Sequence, residues 1–279
     1  MSMTINGHTR LLAHIGYPTH SFKAPLIYNP YFAQAHINAV VVPMGCRPDH
    51  FAALMQSLRH LDNFAGALIT MPHKVSVLSL LDRVTPTVEV AGACNAVKVV
   101  DGCLVGDMFD GEGFVRGLRH KAFAPQGKRA LVVGSGGVGS AIAASLAAAG
   151  VAELHLFDIN AVAAQALATR LKQHYPAVRT VVGQRDPADM DLVVNATPLG
   201  MNPGDPLPID MRRLQAHTLV GEVVMRAEST AFLSEARARG CRVQVGVDML
   251  FEQIPAYLEF FNLPSTDAEE LRRHARIAY

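Results

Sequence analysis

Apolar runs of strand length alternate with stretches of helical spacing along most of the chain. Residues 11–15, 39–42 and 66–70 are short apolar runs, and between them 24–37 and 48–61 carry helical periodicity. The first of these helices is interrupted early by Pro30 and the second is opened by Pro48. A further helix is predicted after Pro72, to about residue 81. The alternation breaks between 85 and 106, where two β-prone runs, 95–100 and 103–105, flank Asp101-Gly102, a hairpin signal. A helix over 110–120 reads as a connector. Strands are then predicted at 130–133, 154–157, 180–182, 191–195, 219–224 and 243–247, with helices at 140–149, 161–174, 229–239, 249–260 and 266–277. Such a rhythm predicts an α/β protein of two domains, each built on a mostly parallel sheet. The expected division is 1–107, completed by 244–279, and 108–243.

One turn in this pattern has chemistry of its own. The apolar run before it ends at Gly134-Ser135-Gly136-Gly137-Val138-Gly139, the spelling G-x-G-x-x-G, and a helix and a second strand follow. The first glycine allows the tight turn, the second lets a pyrophosphate approach bare backbone, and the third lets helix and strand pack closely. Free N–H groups of the following helix face the phosphates. The second strand stops at Asp158, placed to accept hydrogen bonds from ribose hydroxyls and to repel a 2′-phosphate. The complete strand, turn, helix, strand and acid predict a Rossmann-type unit that takes NAD, with NADP disfavoured.

Composition narrows the function by exclusion. Among 279 residues, 25 Lys and Arg balance 24 Asp and Glu, for a formal charge of +1, so nothing marks a nucleic-acid partner. No uncharged apolar run approaches the roughly 20 residues that span a bilayer, and the first residues lack the pattern of a signal peptide. A cytoplasmic protein without a membrane partner is expected. Cys46, Cys94, Cys103 and Cys241 are scattered, which suits reduced structural thiols, and the 12 histidines form no ligand spacing, so no metal is expected.

Several further strings coincide with one family. Gly16-Tyr17-Pro18-Thr19-His20-Ser21, Thr70-Met71-Pro72-His73-Lys74, Gly92-Ala93-Cys94-Asn95, the aspartate and flanking glycines of 106–113, Asn195-Ala196-Thr197-Pro198-Leu199-Gly200-Met201 and Gly246-Val247-Asp248-Met249-Leu250-Phe251-Glu252-Gln253 occur in order, nearly end to end. The chain thereby resembles the shikimate/quinate dehydrogenases. The resemblance implies a substrate domain and a dinucleotide domain with a cleft between them, where a nicotinamide cofactor meets a small cyclic hydroxy acid. It assigns Lys74 and Asp110 to catalysis, Ser21, Lys23, Thr70, Asn95 and Gln253 to the substrate, and Asn195, Thr197, Pro198 and Gly246 to the cofactor beside the glycine turn.

The chemistry is consistent with those residue types. Oxidising a secondary alcohol requires a group that removes the hydroxyl proton, and a lysine shaped by burial or a neighbouring carboxylate can do so. Each residue taken singly also has an ordinary reading: a solvated helix lysine for Lys74, an N-cap for Asp110 or Ser21, a strand end for Thr70, a turn former for Asn95 and a helix surface for Gln253. Departures from the family pattern concentrate in the substrate pocket. Lys23 replaces a serine, Leu68 an asparagine, Met108 and Phe109 an Asn-Thr pair, Ala96 a threonine, and Met225 a tyrosine followed by Arg226. The pocket becomes more apolar, while Lys23 or Arg226 offers a charge-assisted contact to a carboxylate. Where NADP-dependent members carry an Asn-Arg-Thr-like string, this chain has Asp158-Ile159-Asn160. The sequence thus predicts an NAD-preferring dehydrogenase of cyclic hydroxy acids, the alternative being a non-catalytic NAD-binding sensor on the same fold.

Overall fold

The computed structural model describes residues 4–20, 22–225 and 229–277, so Ser21 and Arg226 lie outside the described residues. The chain divides into two compact units: Met1–Val88 with Gly92–Phe109 and Ile254–Tyr279, and Glu89–Ala91 with Asp110–Gln253. The expected divisions stood at 107/108 and 243/244. The compact units divide later, after Phe109 and after Gln253, the second time inside a helix.

In the first unit the strands are β1 (Arg10–Gly16), β2 (Ala39–Gly45), β3 (Phe64–Ile69), β4 (Arg83–Val84), β5 (Ala96–Val100) and β6 (Cys103–Asp107), in the sheet order β2-β1-β3-β5-β6-β4. β1 pairs in parallel with both β2 and β3, whereas β5 is antiparallel to β3 and to β6. The hairpin of β5 and β6 turns at Asp101 and Gly102, with φ of 51° and 78°. Two positive φ values in a two-residue turn match the right-handed twist of the strands. Pro43 is accommodated because β2 is an edge strand.

Helices α1 (Pro25–Gln34), α2 (Pro48–Leu58), α3 (His73–Ser76) and α4 (Pro86–Ala91) connect these strands. Three differ from the expectation. α1 runs through Pro30 without interruption. Proline removes one intrahelical bond, and burial of Ile27, Tyr28, Tyr31 and Phe32 holds the helix regardless. α3 lasts one turn and passes into a 3₁₀ segment, Val77–Leu80, instead of continuing to 81 as an α-helix. Ser76 Oγ and Ser79 Oγ donate to the carbonyls of His73 and Ser76, at 3.4 and 3.0 Å. Such local bonds compete with the regular helical ladder. α4 was not expected at all, although Thr85 caps it, Pro86 opens it and Gly92 closes it at φ 63°.

The second unit holds β7 (Arg129–Val133), β8 (Glu153–Phe157), β9 (Arg179–Val182), β10 (Leu192–Asn195), β11 (Leu219–Glu222) and β12 (Arg242–Gln244) in the order β12-β11-β10-β7-β8-β9, every pair parallel. Its helices are α5 (Asp110–His120), α6 (Gly137–Ala148), α7 (Ala161–His174) and α8 (Ala231–Ala238); α9 (Gly246–Phe260) begins in it and passes into the first unit after Gln253, and α10 (Ala268–His274) lies in the first unit. The last strand ends at Gln244, so the expected strand to 247 is shorter and its final residues begin α9. One core packs Phe114, Leu118, Ile142, Leu146, Leu154, Leu156 and Leu167 against one face of this sheet. Leu131, Val193, Val220, Phe232 and Leu233 fill the other. Strands buried on both faces are apolar along most of their length, which makes them legible as nearly continuous runs. The strand order reverses between β7 and its neighbours β8 and β10. Ligands of such sheets bind at that switch point, beyond the carboxyl ends of the strands.

Candidate active site

The glycine turn lies at this switch point, immediately after β7. Gly134 has φ 107°, and a Cβ there would stand 2.7 Å from the Ala196 carbonyl oxygen; at Gly139 a Cβ would stand 2.0 Å from the Gly134 oxygen. Both positions exclude a side chain. Around Gly136 a Cβ would meet nothing within 4 Å. Gly136 is also the N-cap of α6 and provides no side-chain acceptor for the first-turn N–H groups. The turn therefore presents bare backbone and unsatisfied donors to open space, which fits a pyrophosphate. Gly137 opens α6, and Val138 packs against the core. Ser135 is buried with its Oγ unpartnered.

Asp158 follows β8 and is tied to the turn. Its Oδ2 accepts from the Ser135 N–H at 2.7 Å and its Oδ1 from the Asn160 N–H at 2.8 Å. The next side chain, Ile159, is 96% exposed. A cation stands close by: the Arg185 guanidinium lies 5.2 Å from the centroid of Phe157.

Asn195 and Thr197 bond each other and the backbone of Leu199. Asn195 Oδ1 accepts from Thr197 N–H at 3.1 Å and from Thr197 Oγ1 at 2.6 Å, while its Nδ2 donates to the Leu199 carbonyl at 2.9 Å. They shape the loop that meets Gly134, and Pro198 is exposed on it. Gly246 is required for packing, since a Cβ would stand 2.3 Å from the Val224 oxygen.

In the first unit the family strings gather at the carboxyl ends of β1 and β3. Tyr17 N–H donates to the Met71 carbonyl at 3.0 Å and Thr70 N–H to the Ile15 carbonyl at 2.9 Å. Gly16 permits the approach, because a Cβ there would stand 2.4 Å from Thr70 Cγ2. Lys74 is half-buried on α3, and its carbonyl accepts from the Cys94 N–H at 2.8 Å, so the 92–95 string is bonded to the lysine's own backbone. Lys23, also half-buried, sits just before α1. Asn95 is buried, and its Oδ1 accepts from the Phe109 N–H at 2.9 Å. That bond fixes the backbone one residue before Asp110.

Asp110 is the first residue of α5, and Gln253 lies on α9, both in the second unit and both buried. Gln253 Oε1 has no partner. A Cβ on Gly113 would stand 2.6 Å from Gln253 Cβ, so the two helices approach closely there.

His14 was missed by the sequence reading. It stands on β1 with its ring stacked on Phe22, centroids 4.1 Å apart. Burial, with the Lys74 charge as a second cause, pushes its pKa down to about 4. The signal in the sequence was a single polar residue inside the apolar run 11–15. Among the described residues no group of three or more His, Cys, Asp or Glu could hold a metal ion, and no helix is long and apolar enough to cross a membrane.

Comparison with known proteins agrees with this geometry. Residues 14–97 match the family model for the shikimate dehydrogenase substrate binding domain, and residues 126–179 match the ThiF family. A shikimate dehydrogenase (NADP(+)) of Desulforamulus reducens is 35% identical over 259 residues, covering 89% of this chain and 88% of the relative. Shikimate 5-dehydrogenase of Listeria monocytogenes, solved with shikimate and NAD, superposes with a TM-score of 0.91 at 25% identity over 98% of each chain. Quinate dehydrogenase of Corynebacterium glutamicum, solved with NAD, gives 0.84 at 30% identity over 95% of this chain and 98% of the other. The chain belongs to the shikimate dehydrogenase family. It is an oxidoreductase of that kind, a nicotinamide-dependent dehydrogenase acting on CH–OH groups.

Proposed function

We propose that the protein is an NAD-preferring dehydrogenase that interconverts a secondary hydroxyl and a ketone on a small cyclic hydroxy acid, shikimate- or quinate-like. The first unit supplies Lys74 and most of the substrate contacts, and the second supplies the cofactor site with Asp110 and Gln253. The observation that carries this reading is the convergence on Lys74: the 16–23 loop, the 70–74 string and the 92–95 string are bonded to one another around it.

Bound nicotinamide would supply the hydride acceptor, held through its pyrophosphate by residues 134–139 and through its ribose by Asp158. The protein's own groups handle the proton. Lys74 takes it from the reacting hydroxyl, and the Asp110 carboxylate stabilises the ammonium so formed. Asn95 acts chiefly as a positioning residue, because its carbonyl oxygen is committed to the backbone ahead of Asp110. Gln253 Oε1, buried and unpartnered, is suited to accept from a ring hydroxyl. Lys23, Thr70 and Ser21 complete the substrate contacts. Asn195, Thr197, Pro198 and Gly246 serve the cofactor through the shape of the loops they hold.

Asp158 and the exposed Ile159 favour NAD, because a 2′-phosphate would face a carboxylate with no cation at position 159. A second reading is favoured by Arg185, whose guanidinium lies near the end of β8, and by the D. reducens relative, an NADP(+) enzyme. Initial rates with shikimate and quinate, each with NAD+ and NADP+, decide among these. The proposal expects NADH formation with at least one acid and a higher kcat/KM for NAD+. Faster turnover with NADP+ would establish the second reading, and no turnover of either acid would overturn the substrate class.

A further inference from the structure

The sheet register sets His14 opposite Leu68 on β3 and Pro43 on β2, two residues before Gly16. Residues paired in register stand on the same face of a sheet, so the imidazole shares its face with an aliphatic side chain that offers no hydrogen bond. Phe22, on the 16–23 loop, stacks on the ring and fixes its plane. His14 Nδ1 is buried and has no hydrogen-bond partner. A buried polar group left unmade costs roughly 1–3 kcal/mol. Nothing in the packing of β1 needs a nitrogen there, and a phenyl ring would stack on Phe22 without that penalty. A neutral imidazole kept beside Lys74 at such a cost is accounted for by a ligand group that completes it.

We propose that His14 is a specificity-determining residue of the substrate site, hydrogen-bonding the ring hydroxyl next to the one whose proton Lys74 takes. The inference rests on the assignment of Lys74 as the acid/base. It goes beyond that assignment in naming a vicinal diol as the feature the site reads. Because the imidazole is uncharged at neutral pH, it suits a hydroxyl better than a carboxylate. A neutral ring can donate from one nitrogen and accept at the other.

The test compares shikimate with an analogue lacking the hydroxyl beside the oxidised carbon, in the wild type, in His14→Phe and in His14→Gln. One neutral hydrogen bond contributes about tenfold in kcat/KM. The wild type is expected to prefer shikimate over the analogue by about that factor. His14→Phe is expected to lose most of this preference, falling on shikimate while changing less than about twofold on the analogue, and His14→Gln to recover part of it. Urea denaturation of both variants reports their folding separately, and His14→Gln carries the same comparison should the phenyl ring not be tolerated. Equal losses on both compounds would make His14 a packing residue and overturn the proposal. Absence of turnover by the wild type on either compound would overturn the shikimate-like substrate class, and the role of His14 with it.

Discussion

Gly136 and Gly139 separate two reasons for which this turn uses glycine. The Gly136 backbone is extended, φ −73° and ψ −172°, a conformation open to any L-residue, and an added methyl would meet nothing within 4 Å. Gly136→Ala should therefore leave stability within about 1 kcal/mol of the wild type. The methyl would occupy the space through which a pyrophosphate reaches the bare backbone. Losing one charge-assisted bond of roughly 1.5–3 kcal/mol weakens binding by about 10- to 100-fold. Gly139→Ala is the contrasting change, since its Cβ would stand 2.0 Å from the Gly134 oxygen. It should destabilise the fold by about 1–3 kcal/mol, as overpacking does. Fluorescence titration with NADH and urea denaturation, run on both variants, separate the two effects. Wild-type affinity for NADH in Gly136→Ala would refute the placement of the pyrophosphate, and a loss of stability equal to that of Gly139→Ala would refute the claim of open space.

Other consequences follow from single residues. Asp158→Asn should narrow the preference for NAD+ over NADP+, and combining it with Ile159→Arg should reverse the preference; an unaltered ratio of kcat/KM values would show that position 158 does not read the ribose. Glu222 is buried at the end of β11, where Thr230 Oγ1 donates to it at 2.8 Å, and burial pushes its carboxyl up to about 7 from an ordinary 4.5. The folded chain then holds a proton that the unfolded chain releases above 4.5, so this contribution is full below pH 4.5 and is lost as pH rises through 7. The loss is on the order of 2 kcal/mol after a discount for partial solvent screening. Urea denaturation at pH 5 and pH 8.5 should show that fall in the wild type and a smaller one in Glu222→Gln; identical slopes would dismiss Glu222 as its source.

The second unit is largely legible in the sequence. Its strands are buried on both faces, so β7, β10 and β11 carry continuous apolar runs and β8 one interrupted only by His155, and the glycine turn announces what lies between β7 and β8. Helix α7 was placed at its observed limits, because Asn160 is a side-chain cap that accepts from the Val162 and Ala163 N–H groups. The first unit was less legible where tertiary burial or local bonding overrides periodicity. α1 ignores its internal proline, and the serines of 76 and 79 shorten α3. α4 was overlooked because six residues are too few for a periodic signal, although both of its ends are marked.

The candidate site divides in the same way. Lys74, Asp110 and the glycine turn are candidates because they lie in strings, and the structure adds what strings cannot carry. Asn95, Asn195 and Thr197 spend oxygen atoms on neighbouring backbone or on each other, which makes them supports for loops more than contacts for ligands. His14 belongs to no string. Its place beside Lys74 depends on the parallel pairing of β1 with β3, a long-range register that local patterns do not encode.

In the proposed mechanism Lys74 holds the proton of the reacting hydroxyl while residues 134–139 hold the cofactor independently of it. Measuring kcat and the NADH dissociation constant of Lys74→Ala beside the wild type tests both halves at once. Turnover should fall by about a hundredfold to ten-thousandfold, the usual contribution of a positioned acid or base, with NADH affinity within about twofold of the wild type. Turnover that survives the substitution, at unchanged NADH affinity, would exclude Lys74 as the acid/base.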